Sequence, residues 1–144
     1  MTLPVPEPGL VIRYAYLWDR EAREGRDEGS KDRPRAIVLV VADEAGRRCI
    51  QVLPVTHSPP RAAADAVEIP AQTKARLGLD GERSWVVLTE VNEFTWPGPD
   101  LRTIGGNAAT VAFGFLPPGF FRTVRDRYLA LQRRNKTSQV HRTE

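Results

Sequence analysis

The sequence predicts a mainly β protein with minor α content: a compact, small β-barrel carrying one helix at its C-terminal end. Three observations point there. Residues 10–18 alternate in the two-residue period of a strand, with Leu10, Ile12, Tyr14, Tyr16 and Trp18 on one face. Residues 35–42, RAIVLVVA, form a near-continuous apolar run that an Asp43-Glu44-Ala45-Gly46 turn joins to a second strand-like segment, 47–55. After Pro117-Pro118-Gly119 the apolar spacing changes to three and four, through Phe121, Val124, Tyr128 and Leu131, as on the buried stripe of an amphipathic helix.

The remaining elements fall between these. The opening, MTLPVPEPG, is Pro-rich and expected to be loose over residues 1–8. Residues 19–33 hold almost no apolar side chain except Ala22, so they cannot bury a face and read as a long charged loop. Residues 35–42 suit a central strand buried on both faces. Pro59 and Pro60 cannot donate to a ladder and end the second hairpin strand near Thr56-His57-Ser58. A short strand at 66–69 precedes one or two helical turns at 70–77, stopped by Gly78. Ser84–Leu88 and Val91–Trp96 are strand-like, and one more strand is expected near 109–115. Short strands with exposed edges are best protected by closure, which favours a barrel. The single domain is placed at residues 9–132, followed by a basic tail over 133–144 that is expected to be disordered.

Composition narrows the functional classes. At 144 residues the chain is of one-domain length and can bury a core without disulfides or metals. No apolar run approaches the roughly 18 residues of a membrane span. The N-terminus lacks the basic start and apolar stretch of a signal peptide, so a cytoplasmic location is expected. The lone Cys49 lies in a strand pattern and reads as a buried reduced thiol. A net charge of +3, from 21 basic and 18 acidic residues, is too mild by itself to indicate nucleic acid. The basic cluster after Arg122 fits a solvated helix face with a frayed end, or a polyanion-binding surface. No metal-ligand spacing is seen, since His57 and His141 lie far apart and Cys49 is in a strand. Gly105-Gly106 lacks the Lys-Ser or Lys-Thr of a phosphate loop, and there is no Gly-x-Ser-x-Gly elbow. No cofactor is expected.

What remains is an ordered set of short motifs. Pro8-Gly9 leads into an aromatic first strand, and the long polar loop ends in Arg33-Pro34 before Ala36-Ile37-Val38-Leu39-Val40. Leu53-Pro54-Val55-Thr56 closes the next strand, and Leu88-Thr89-Glu90-Val91, Phe94-Thr95-Trp96 and a terminal helix follow. In this order the chain resembles the PemK/MazF family of bacterial toxin–antitoxin toxins over roughly residues 8 to 132. The resemblance implies an SH3-like small barrel, a homodimer, and a metal-independent endoribonuclease that cuts single-stranded RNA and is restrained by an antitoxin protein. It places the catalytic arginine on Arg33 and the catalytic threonine on Thr56.

These roles suit the side chains. Arg33 keeps its charge and can fork onto a phosphate, stabilising charge that grows on the phosphoryl group. Its alternative role is to pin the loop end through Asp32 or Asp27. Thr56 can position a phosphate oxygen or relay a proton, or it can simply cap the turn after its strand. His57 departs from the family pattern and is either a general acid–base or an exposed loop histidine. Lys31, Arg35 and Ser58 are the candidate RNA contacts, with plain solvation as the alternative for the two cations. Tyr16, Trp18 and Trp96 serve the core, a dimer interface, or base stacking. Glu90 stands where many relatives carry an aspartate. Two further classes stay open beside the ribonuclease: a barrel that poisons a protein target, as the related gyrase poisons do, and a non-catalytic binder of RNA or a partner.

Overall fold

The computed structural model describes residues 3–16, 31–98, 101, 102, 104 and 110–141, with the backbone alone for residues 15, 16 and 31–33. In chain order the elements are β1 (Leu10–Tyr16), β2 (Lys31–Ala42), β3 (Arg48–Thr56), β4 (Ala66–Glu68), α1 (Ala71–Arg76), β5 (Trp85–Val87), β6 (Glu90–Trp96), β7 (Ala112–Phe115), α2 (Pro118–Arg133) and β8 (Ser138–His141). The expected charged loop lies largely outside the described residues, as do Leu17 and Trp18.

The strands form one mainly antiparallel sheet in the order β4-β5-β3-β2-β1-β7. β3 is its hub. One edge of β3 pairs with β2; the other pairs first with β6, from Arg48↔Trp96 to Val52↔Asn92, and then with β5, at Val55↔Val86 and Thr56↔Trp85. Pro54, which has no N–H to donate, falls in the gap between those two partners. β8 runs parallel to β6, from Glu90↔Ser138 to Glu93↔His141, in a segment expected from the sequence to be a loose tail.

Closure into a barrel is not found. Among the described residues no pairing joins β7 to β4 or β8, so the sheet stays open. Leu77, which caps α1, and Leu116, which leads into α2, cover Val11 and Ala36 on this flank of the sheet.

Hydrophobic packing falls on both faces of β3, as its two-residue period requires. Leu53 and Val55 join Val38, Val86, Leu88, Val91 and the α2 residues Val124 and Tyr128. Ile50 and Val52 face the other way and pack with Leu10, Ile12, Tyr14, Ile37 and Phe94, where the Tyr14 and Phe94 rings stack at 4.7 Å. The expectation that residues 35–42 of β2 are buried on both faces holds only for Arg35, Ala36, Ile37 and Val38. A bulge between Ile37 and Leu39 leaves Val38 unpaired, and beyond it Leu39 and Val41 are exposed. A bulge bends its strand, and the hairpin end here runs past the core.

Two turns depend on their glycines. Gly46 has φ +79° in the β2–β3 turn, where Asp43 Oδ1 accepts from the backbone N–H of Ala45 and Arg47. Gly9 has φ +93°, and its backbone bonds both Ile37 and Leu116, tying the start of β1 to β2 and to the approach to α2. α2 begins on Pro118 at a first-turn position, where the missing N–H costs nothing. It stops at Asn135, whose φ of +56° turns the chain back toward β8. A buried polar chain then joins helix to sheet: the Tyr128 hydroxyl donates to Gln51 Oε1 at 2.8 Å, and Gln51 Nε2 donates to Glu93 Oε2 at 3.0 Å. His141 of β8 lies 3.4 Å from the same Glu93 carboxylate.

Candidate active site

Of the predicted site residues whose side chains are described, Thr56, His57 and Ser58 follow one another at the end of β3, and Arg35 lies buried on the neighbouring strand β2. The bonded register opens with Arg35↔Pro54 and Ala36↔Leu53. At this end the bonded register stops at Arg35↔Pro54, two residues short of Arg33 and Thr56; Arg33 pairs with Tyr14 of β1, and Thr56 pairs with Trp85 of β5. The side chains of Arg33 and Lys31 lie outside the described residues.

Thr56 ends β3 half-buried, and its hydroxyl oxygen accepts the backbone N–H of Ser58 at 3.1 Å. It therefore closes the turn, and its hydroxyl hydrogen remains able to donate. Ser58 is exposed. Arg35, one of the expected RNA contacts, is only 1% exposed. Its Nη1 donates to the carbonyl oxygens of Pro34 at 2.8 Å and Val55 at 3.3 Å, so it props the edge from beneath.

His57 stands at the mouth of a cavity of about 250 Å³ walled by Pro34, Val55, Lys74, Leu79, Asp80 and Ser84. Its Nε2 lies 2.9 Å from Asp80 Oδ2 and 3.8 Å from Glu82 Oε2. Asp80 is held in turn by Lys74, a buried α1 lysine whose ammonium donates to Asp80 Oδ1 at 2.6 Å, to the Ser84 hydroxyl at 2.7 Å and to the Glu82 carbonyl. The Lys74 hydrogen bond, helped by the Glu82 backbone N–H and the Lys74 charge, keeps the Asp80 carboxyl below its ordinary range against a smaller opposing effect of burial. The result is an imidazole paired with an ionised carboxylate, the arrangement that orients a ring for proton transfer.

Sequence reasoning found His57 but missed Asp80, Glu82, Lys74 and Ser84. The Leu79-Asp80-Gly81-Glu82 stretch carries only a turn signal, and a lysine on a short helix is ordinarily a surface residue. The absence of metal-ligand spacing in the sequence was likewise incomplete, since the fold brings Asp80 and Glu82 to His57 across more than twenty residues. Cys49, expected to be buried, is half-buried and takes part in no disulfide. Among the described residues no helix is long and apolar enough to cross a membrane. The chain matches no protein-family model, and it matches none of the curated proteins.

Proposed function

We propose that this chain is a PemK/MazF-like toxin: a metal-independent endoribonuclease that cuts single-stranded RNA, arrests growth, and is held in check by a cognate antitoxin. The cytoplasmic location, the homodimer and the SH3-like architecture belong to the same reading. The observation that carries it is the His57–Asp80 pair lining a cavity directly after Thr56, at the end of β3 that lies beyond the last bonded β2–β3 pair, Arg35↔Pro54.

In this reading the RNA backbone lies along the β2–β3 edge. The Arg33 guanidinium holds the scissile phosphate and stabilises the charge that builds on its non-bridging oxygens. Thr56 donates its hydroxyl hydrogen to a phosphate oxygen while its own oxygen stays on Ser58. His57, oriented by Asp80, accepts the 2′-hydroxyl proton as that oxygen attacks the adjacent phosphorus. The P–O5′ bond breaks, the departing 5′-oxygen takes a proton from water, and the upstream fragment ends in a 2′,3′-cyclic phosphate. Removing the arginine costs roughly a hundredfold to a thousandfold in rate, and removing the general base a similar factor. The test is incubation of the purified chain with single-stranded RNA in EDTA, alongside folded Arg33→Ala, Thr56→Ala and His57→Ala variants. Fragments with cyclic phosphate ends that fall away in the Arg33 and His57 variants support the reading.

One observation favours a second reading, a barrel-like binder that acts on a protein target or on RNA without cutting it. Thr56 already caps its own turn and Arg35 is buried, which leaves fewer free groups for chemistry. RNA left intact, with toxicity retained in the Arg33→Ala variant, selects that alternative.

A further inference from the structure

We propose that His57, Asp80 and Glu82 form a binding site for a divalent transition-metal ion, with zinc as the ion that tests it. The three donor atoms, Nε2, Oδ2 and Oε2, all lie within 4.8 Å of one another. Around a tetrahedral zinc with bonds of about 2.0–2.2 Å, donors sit about 3.3–3.6 Å apart. The observed 2.9 Å and 3.8 Å separations from His57 Nε2 bracket that spacing, so small side-chain rotations seat the ion.

The surroundings prepare the donors. Lys74 takes the other oxygen of Asp80, and the Glu82 N–H bonds that same oxygen at 3.1 Å, which leaves Oδ2 aimed at the imidazole. Hydrogen bonding of this kind to a ligating carboxylate fixes its orientation at metal sites. The Lys74 ammonium spends its hydrogens on Asp80, Ser84 and the Glu82 carbonyl, and it is buried behind the carboxylate, away from the open side. Two carboxylates and one imidazole supply a mixed oxygen–nitrogen set suited to zinc. Nε2 offers its lone pair once its hydrogen moves to Nδ1. Asp80 and Glu82 are both more than half exposed, so an ion enters from solvent without any rearrangement of the fold. Water completes the coordination, because the protein supplies three donors and leaves the outer side open.

The inference does not depend on the ribonuclease reading, since it concerns binding alone. Where both hold, an ion on Nε2 takes His57 out of proton transfer, and zinc acts on the enzyme as an inhibitor that EDTA removes.

The experiment is competition for zinc between the purified full chain and a chromophoric chelator, at neutral pH and without RNA. The expected result is one equivalent bound with micromolar affinity, weakened about tenfold or more by Glu82→Gln and by His57→Gln separately. Glu82 lies on an exposed loop, so its variant folds and keeps the test decisive. Failure to compete at millimolar zinc overturns the proposal. So does binding that both variants leave unchanged, which assigns the ion to other groups such as His141 with Glu93, or Cys49.

Discussion

Replacing Lys74 with methionine tests how the candidate site is held together. The change keeps most of the aliphatic stem and removes a buried ammonium that serves Asp80 Oδ1 at 2.6 Å, the Ser84 hydroxyl at 2.7 Å and the Glu82 carbonyl. Hydrogen bonds to a charged group contribute about 1.5–3 kcal/mol each. The bond to Asp80 counts at the low end, because that carboxylate is half exposed and water replaces the lost partner. Ser84 is 1% exposed, but its hydroxyl already lies 3.4 Å from the Glu82 carbonyl and can turn to it, which recovers part of the loss. Methionine also avoids the desolvation that the ammonium suffers. The net expectation is a loss of about 2–3 kcal/mol, read from urea denaturation followed by tryptophan fluorescence. The double variant with Asp80→Asn should lose less than the two single losses together, because both remove one ion pair. A loss below about 0.5 kcal/mol, or strict additivity with Asp80→Asn, refutes the assignment of Lys74 as the group that fixes Asp80.

Two further predictions concern the scaffold. Burial, and secondarily the Glu93 charge, push the Tyr128 hydroxyl up to about 12. A phenol that holds its proton more tightly when folded stabilises the fold fully below its unfolded value near 10, and that stability drains away as pH rises from about 10 to about 12. On the order of 2 kcal/mol should disappear over this window in the wild type but not in Tyr128→Phe, as measured by urea denaturation at stepped pH. Gly9→Ala places a side chain at φ +93° with the Phe121 ring 3.5 Å from the new Cβ. It should cost roughly 1–3 kcal/mol and lower the thermal midpoint, and an unchanged midpoint would mean that the turn relaxes freely.

How much of this was legible in the sequence follows from the range of each signal. The β2–β3 hairpin, β6 and the α2 stripe of Val124 and Tyr128 all announce themselves through local periodicity and turn residues. The fate of Leu39 and Val41 does not, because a bulge at Val38 carries them past the core and apolar content alone gives no sign of that. β8 was missed because Ser138–His141 is polar. Its order comes from parallel pairing with β6 and from the His141–Glu93 contact, both of which depend on tertiary neighbours. Barrel closure was inferred from the general need to protect edges, whereas α1 and the lead into α2 supply apolar cover on one flank of an open sheet. At the site, the hairpin carrying Thr56 and His57 was visible from strand pattern and prolines. The Asp80–Lys74 support was not, because a buried lysine on a six-residue helix breaks the usual rule for charged residues. Arg35 breaks the same rule in the same sense, since a residue expected to meet RNA lies under the edge and holds backbone carbonyls.

The ribonuclease reading stands or falls on RNA chain cleavage without metal. Purified protein free of any antitoxin, incubated with a defined single-stranded RNA in excess EDTA, should yield fragments ending in 2′,3′-cyclic phosphate. The Arg33→Ala variant, folded by circular dichroism, should cut at least about a hundredfold more slowly. RNA that remains intact with the folded wild-type chain, or cleavage that Arg33→Ala leaves unchanged, contradicts the account.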